Sequence, residues 1–134
     1  MKNIKILVCD DMVMIRSLVK KALFEVGFKN VVEAVDGKEA MDLINQEQEK
    51  QSPFDLVFID WNMPYMSGVE VVQACKQNPD NAKISFIMIS AERDHKNIVQ
   101  ALNSGVDDYI MKPFSPAILS NKIVKVISLK PKVA

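Results

Sequence analysis

The sequence predicts an α/β fold, a parallel β-sheet with helices covering both of its faces. Two observations carry that prediction. Five short apolar runs alternate with five segments of helical periodicity along 134 residues. The runs are nearly continuously apolar, as expected of strands buried from both sides. No repeat, low-complexity stretch or interdomain linker interrupts them. A single domain over 1–134 is therefore expected, with a core over 4–128 and a frayed tail over 129–134.

Ile4–Cys9 is the first predicted strand. Ile15, Leu18, Val19, Ala22 and Val26 then recur on one helical face, and Gly27 is placed to end that helix. Asn30–Val35 reads as the second strand and Asp36-Gly37 as a turn. Lys38–Glu49 reads as a helix with Ala40, Met41 and Ile44 on its apolar side. Pro53 closes a polar loop before the third strand, the run FDLVFID. Gly68 is expected to let the preceding loop turn tightly, and a helix from there to Gln77 is stopped by Asn78-Pro79. ISFIMIS is the fourth strand. Asp94–Ser104 is the fourth helix, stopped by Gly105, and DYIM is a short fifth strand. Ser115-Pro116 pairs a cap with proline at the first helical position, opening a last helix to Ser128.

Composition narrows the function classes. Hydrophobic residues make up 49% and charged residues 25%, which is globular and not disordered. Lys plus Arg equals Asp plus Glu at 17 each, so bulk charge gives no reason to expect nucleic acid or membrane binding. Five lysines (112, 122, 125, 130, 132) and no acid follow Asp108, which reads as a solvated, basic last helix and tail. Cys9 and Cys75 lack CxxC or Cys/His metal spacing and read as free, mostly buried thiols of a reducing compartment. No run approaches the roughly 18 apolar residues of a membrane span. The N-terminal apolar stretch is short and ends in acids, so a cytoplasmic location is expected.

Ligands of open parallel sheets sit beyond the carboxyl ends of the strands. There the first run ends in Asp10 and Asp11, the third in Asp60, the fourth in Ser90, and the fifth runs into Lys112-Pro113. Each alone reads as a turn former, a cap or a solvated lysine. Together they place three carboxylates, a hydroxyl and an ammonium at one edge. Clustered carboxylates repel unless a cation compensates. All-oxygen donors with few carboxylates suit Mg²⁺, which keeps waters and bridges to phosphate oxygens. An Asp beside Mg²⁺ and a Lys can attack a phosphoryl group and form an aspartyl phosphate.

The acid pair with FIDWNMPYMSG, MISAERD and YIMKPF resembles the receiver domain of two-component response regulators, from Lys5 to about Ser128. DWNMP, SAE and NIVQA resemble the free-standing chemotaxis regulators within that family. The resemblance implies a flavodoxin-like doubly wound (βα)5 fold with strand order 2-1-3-4-5. It implies Asp60 as phosphoacceptor and Mg²⁺ held by Asp10, Asp11, Asp60 and the Asn62 backbone carbonyl, with Asp10 acting largely through water. Lys112 would contact a phosphoryl oxygen, ahead of a cis Pro113. Ser90 and Tyr109 would form the switch, and Asn62 and Glu92 would tune phosphate lifetime. Ser90 stands where the family more often has Thr, and Met14 stands where a small or polar residue is common. Trp61 is expected to be a partly exposed loop aromatic, and His95 a solvated residue in the first turn of the fourth helix.

The implied partners are a CheA-like histidine kinase as phosphodonor and a protein target, the flagellar motor switch. The target would meet a face that includes Arg93, Ile98, Tyr109 and Lys122. A monomer that catalyses its own phosphorylation and slow dephosphorylation follows from the same likeness. Three other readings are distinguishable. A phosphorelay intermediate would pass phosphate to another histidine protein. A hydrolase of the haloacid dehalogenase type needs a second acid two residues after the nucleophile, where this chain has Asn62. A flavodoxin needs a phosphate-cradling loop after the first strand, where this chain is acidic.

Overall fold

The structure is a computed structural model and describes residues 4–128. The expected tail over 129–134, with Lys130 and Lys132, lies outside the described residues. The elements run β1 (Ile6–Cys9), α1 (Val13–Glu25), β2 (Val31–Ala34), α2 (Gly37–Glu49), β3 (Leu56–Ile59), α3 (Gly68–Gln77), β4 (Ser85–Ser90), α4 (His95–Asn103), β5 (Asp108–Met111) and α5 (Pro116–Ser128). All strand pairs are parallel, in order β2-β1-β3-β4-β5. This is the flavodoxin-like topology.

The sheet divides the core into two layers, because alternate residues of a strand point to opposite faces. Ile6, Val8, Phe58, Ile87, Ile89 and Ile110 pack under α1 and α5. Leu7, Val57, Ile59, Phe86 and Met88 pack under α2, α3 and α4. With a helix layer on each face, β1, β3 and β4 are buried along their whole length. The edge strands β2 and β5 are only partly covered.

Caps and breakers set most helix boundaries. Gly27 (φ 99°) and Gly105 (φ 118°) end α1 and α4 in the left-handed region that glycine tolerates. Ser115 Oγ accepts from the Ile118 amide at 3.1 Å, and Pro116 opens α5. Two local expectations are corrected. Asp36-Gly37 is a helix start, not a turn: Asp36 accepts from the Glu39 amide at 2.7 Å, and Gly37 is the first residue of α2. Leu18 is exposed, while Leu23 joins Val19 and Ala22 in the core, so the apolar stripe of α1 is rotated from the expected one. The β3–α3 loop does turn tightly onto Gly68, whose amide donates to the Trp61 carbonyl at 2.8 Å, and the left-handed residue of that loop is Tyr65 (φ 70°). Gly68 is needed because the Asp60 carbonyl passes where its Cβ would be.

The last helix is also less solvated than its composition suggests. Lys122 Nζ donates to Asp108 Oδ1 at 3.0 Å, and Lys125 lies 3.8 Å from Oδ2. Lys112 is turned inward.

Candidate functional site

Parallel pairing brings the polar strand ends to one edge. The Asp60 amide donates to the Cys9 carbonyl at 3.0 Å and the Lys112 amide to the Ser90 carbonyl at 2.8 Å. These bonds hold Asp10, Asp60, Ser90 and Lys112 at neighbouring strand ends. Asp10, Asp60 and Ser90 are buried, whereas Asp11 is exposed.

Lys112 lies between two of the acids. Its Nζ donates to Asp10 Oδ2 at 2.9 Å and to Asp60 Oδ2 at 3.2 Å. Lys112 directly follows β5, whose buried residue is Ile110 and whose last residue Met111 is exposed, and it precedes a cis bond to Pro113. Asp10 Oδ1 accepts from the Met12 amide at 2.9 Å, so both oxygens of that carboxylate are engaged. Burial pushes Asp60 above the ordinary carboxylate range, and the nearby Asp10 charge adds to this; Lys112 and the Asn62 amide pull the other way without cancelling it. Burial works against the Lys112 ammonium, but Asp10 and Asp60 outweigh it and hold Lys112 above its ordinary value.

One carboxylate oxygen from each of Asp10, Asp11 and Asp60 lies within 4.8 Å of the others. Three acids against one ammonium leave two net negative charges, matching a divalent cation. The all-oxygen donor set is that of a hard cation such as Mg²⁺. The residues present therefore fit the ion expected from the sequence. Asn62 is exposed, and its amide bonds the Asp60 carboxylate.

Ser90 and Tyr109 meet through the backbone of Glu92. Ser90 Oγ accepts from the Glu92 amide at 3.2 Å, and the Tyr109 hydroxyl donates to the Glu92 carbonyl at 3.0 Å. Burial raises the Tyr109 phenol, with the Ser90 hydroxyl opposing. The Glu92 carboxylate accepts from the Arg93 and Asp94 amides at 3.0 and 2.8 Å, so it organises the approach to α4. Those contacts, the Asp94 amide first, lower its pKa.

Arg93 Nη2 reaches the Lys112 carbonyl at 2.9 Å and ties the β4–α4 loop to the β5–α5 loop. Arg93 is exposed, and Ile98, Tyr109 and Lys122 are half-buried; β5 packs between α4 and α5. Met14 is exposed in the first turn of α1, Trp61 is half-buried, and His95 is exposed at the start of α4. Both cysteines are free and buried. The sequence reading did not single out Arg16, whose Nη1 donates to the Asp10 carbonyl at 2.7 Å. Its signal was only a lone arginine one helical turn beyond the acids.

Residues 6–124 match the response regulator receiver domain. The chain belongs to that family. This receiver is 38% identical over 125 residues to chemotaxis protein CheY-3 of Vibrio cholerae serotype O1, covering 93% of this chain and 92% of that protein. It is 34% identical to chemotaxis protein CheY of Pseudomonas aeruginosa, covering 91% and 94%. The receiver domain of a Francisella response regulator superposes with TM-score 0.81 at 34% identity, covering 95% of this chain and 98% of that one. The chain is thus a CheY-like receiver of a two-component response regulator. Membership implies a histidine kinase as phosphodonor and a protein as target. Among the described residues no helix is long and apolar enough to cross a membrane.

Proposed function

We propose that the chain is a single-domain, cytoplasmic chemotaxis switch that takes a phosphoryl group from a CheA-like histidine kinase onto Asp60 and then binds the flagellar motor switch. The observation that carries this reading is Lys112 Nζ bridging Asp10 and Asp60 at one strand edge, beside Asp11. A carboxylate oxygen of Asp60 attacks phosphorus as the P–N bond of the donor phosphohistidine breaks, and the imidazole leaves with that electron pair. Lys112, held protonated by its two acids, meets the negative oxygens of the transferred group. Asp10, Asp11, Asp60 and the Asn62 carbonyl would hold Mg²⁺, which would supply further charge neutralisation there.

Ser90 Oγ accepts from the Glu92 amide, and its own hydroxyl proton is what it would donate to a phosphoryl oxygen. Tyr109, bound to the Glu92 carbonyl, reports that contact to the face that carries Arg93, Ile98 and Lys122. Asn62 and Glu92 flank the route of attacking water and set phosphate lifetime. The receiver acts as a monomer. In the test, Mg²⁺ and a small acyl phosphate label the wild type and leave Asp60→Asn unlabelled; equal labelling of both removes Asp60 as acceptor. Transfer from the labelled chain to a histidine phosphotransferase domain, with no binding to motor-switch protein, favours the phosphorelay role instead.

A further inference from the structure

Arg16 has no part in the roles above, yet it grips the base of the acidic pocket. Its side chain, 13% exposed, folds back from the first turn of α1. Nη1 donates to the Asp10 carbonyl at 2.7 Å, and Nε donates to Glu33 Oε1 on β2 at 2.8 Å. Lys20, one turn further along α1, donates to Glu33 Oε2 at 3.0 Å. Glu33 therefore ties β2 to two cations of α1, and Arg16 ties that pair to the end of β1.

The Asp10 carbonyl lies where the sheet runs out. The β1–β2 register ends at Cys9 and Ala34, and the Asp10 amide makes the last bond across it. Past that point a strand-end carbonyl needs a donor from elsewhere, and the guanidinium provides one through a charge-assisted bond. The Asp10 carbonyl and the Asp11 amide are two ends of one planar peptide unit. Fixing the first aims the second, and with it the direction in which Asp11 leaves the chain. Asp10 is then held at its carbonyl by Arg16, at Oδ1 by Met12 and at Oδ2 by Lys112.

We propose that Arg16, locked by Glu33, is a positioning residue for the divalent-cation site: it orients the Asp10–Asp11 peptide so that both acids converge with Asp60, and it thereby raises the affinity for Mg²⁺. The proposal rests on the Mg²⁺ reading given above. Charge alone predicts the opposite sign, because a guanidinium near three acids disfavours a second cation and its removal would tighten binding. The direction of the change therefore separates positioning from electrostatics.

The test titrates Mg²⁺ into the full chain and follows Trp61 emission, with calorimetry alongside. Arg16→Met is expected to bind Mg²⁺ about tenfold more weakly, the usual effect of losing a partner that orients a ligand. Arg16→Lys is weakened as well, since one ammonium does not reproduce the fork that meets both the carbonyl and Glu33. Glu33→Gln gives an intermediate loss. In acyl phosphate labelling, the Mg²⁺ needed for half-maximal rate rises by the same factor, while the rate at saturating Mg²⁺ recovers. A role confined to folding lowers the saturating rate instead and overturns the proposal. Wild-type or tighter Mg²⁺ binding by Arg16→Met also overturns it. Should that variant fail to fold, wild-type affinity in Glu33→Gln overturns it. A wild-type chain that does not bind Mg²⁺ removes the underlying reading and this proposal together.

Discussion

Replacing Gly68 by Ala tests how tightly the end of β3 at Asp60, the proposed acceptor, is clamped. In an ordinary first helical turn the change stabilises, by up to about 1 kcal/mol, because alanine has the higher helix propensity. Here the new Cβ would lie 2.2 Å from the Asp60 carbonyl oxygen, 3.0 Å from its carbon and 3.1 Å from Trp61 Cα. Ordinary contact begins at 3.4 Å, so the backbones must part by 1.2 Å (3.4 minus 2.2). All three atoms are backbone, and no flexible side chain can give way. Overpacking of this kind costs about 1–3 kcal/mol. Less a propensity gain of about 1 kcal/mol, the net loss is about 0–2 kcal/mol, read as a lower urea midpoint. The atoms displaced belong to Asp60, the proposed acceptor, and a misplacement of about 1 Å costs reaction rate about 100-fold. Labelling by an acyl phosphate at saturating Mg²⁺ measures that directly. A Gly68→Ala chain as stable as the wild type, labelled at the wild-type rate, would refute the clamp.

The Asp60→Asn chain serves a second purpose in thermal melts without metal. The folded pKa of Asp60 is raised, so its favourable contribution is present below the ordinary carboxylate value, about 4, and is lost as pH rises through the folded value. Asp60→Asn is therefore expected to melt higher than the wild type at pH 7, with the gap closing in acid; no gap at pH 7 contradicts the assigned burial cost. Burial pushes the Cys75 thiol up to about 11 and raises Cys9 likewise. Neither is expected to react with an aromatic disulfide reagent at pH 8 until urea unfolds the chain, and a stoichiometric native reaction would show that the core opens.

Strands and helices were legible because burial on two faces leaves uninterrupted apolar runs, and because Gly27, Gly105 and Ser115-Pro116 punctuate the chain for stereochemical reasons. Precise limits were not. Phe54 extends the apolar run of β3 but is buried beyond the strand, since burial and sheet pairing are separate demands. Rotation of α1, with Leu23 inside and Leu18 outside, depends on how α1 meets α5, which periodicity does not encode.

At the site, the convergence of Asp10, Asp60, Ser90 and Lys112 followed from topology, because every strand of a parallel sheet delivers its carboxyl end to the same edge. The bonds that organise those residues were hidden. Arg16 to a carbonyl, Tyr109 to the Glu92 backbone and the Glu92 carboxylate to two amides all use main-chain partners, which carry no residue identity. Lys122 looked free in the sequence because its acid, Asp108, lies 14 positions away on β5.

The bond between Lys112 and Asp10 spans 102 positions of the chain. Lys112 stands at the end of the last strand, and that strand is held in place by α5 packing against Ile110. During synthesis the three acids emerge long before their ammonium does. A nascent chain displays Asp60 without the ammonium that pairs with it, and Lys112 follows a strand whose Ile110 packs with α5. On the proposed reading, competence for phosphotransfer would thus report on the finished molecule: a chain cut short before α5 would carry Asp60 and still lack the packing that holds the strand end bearing Lys112.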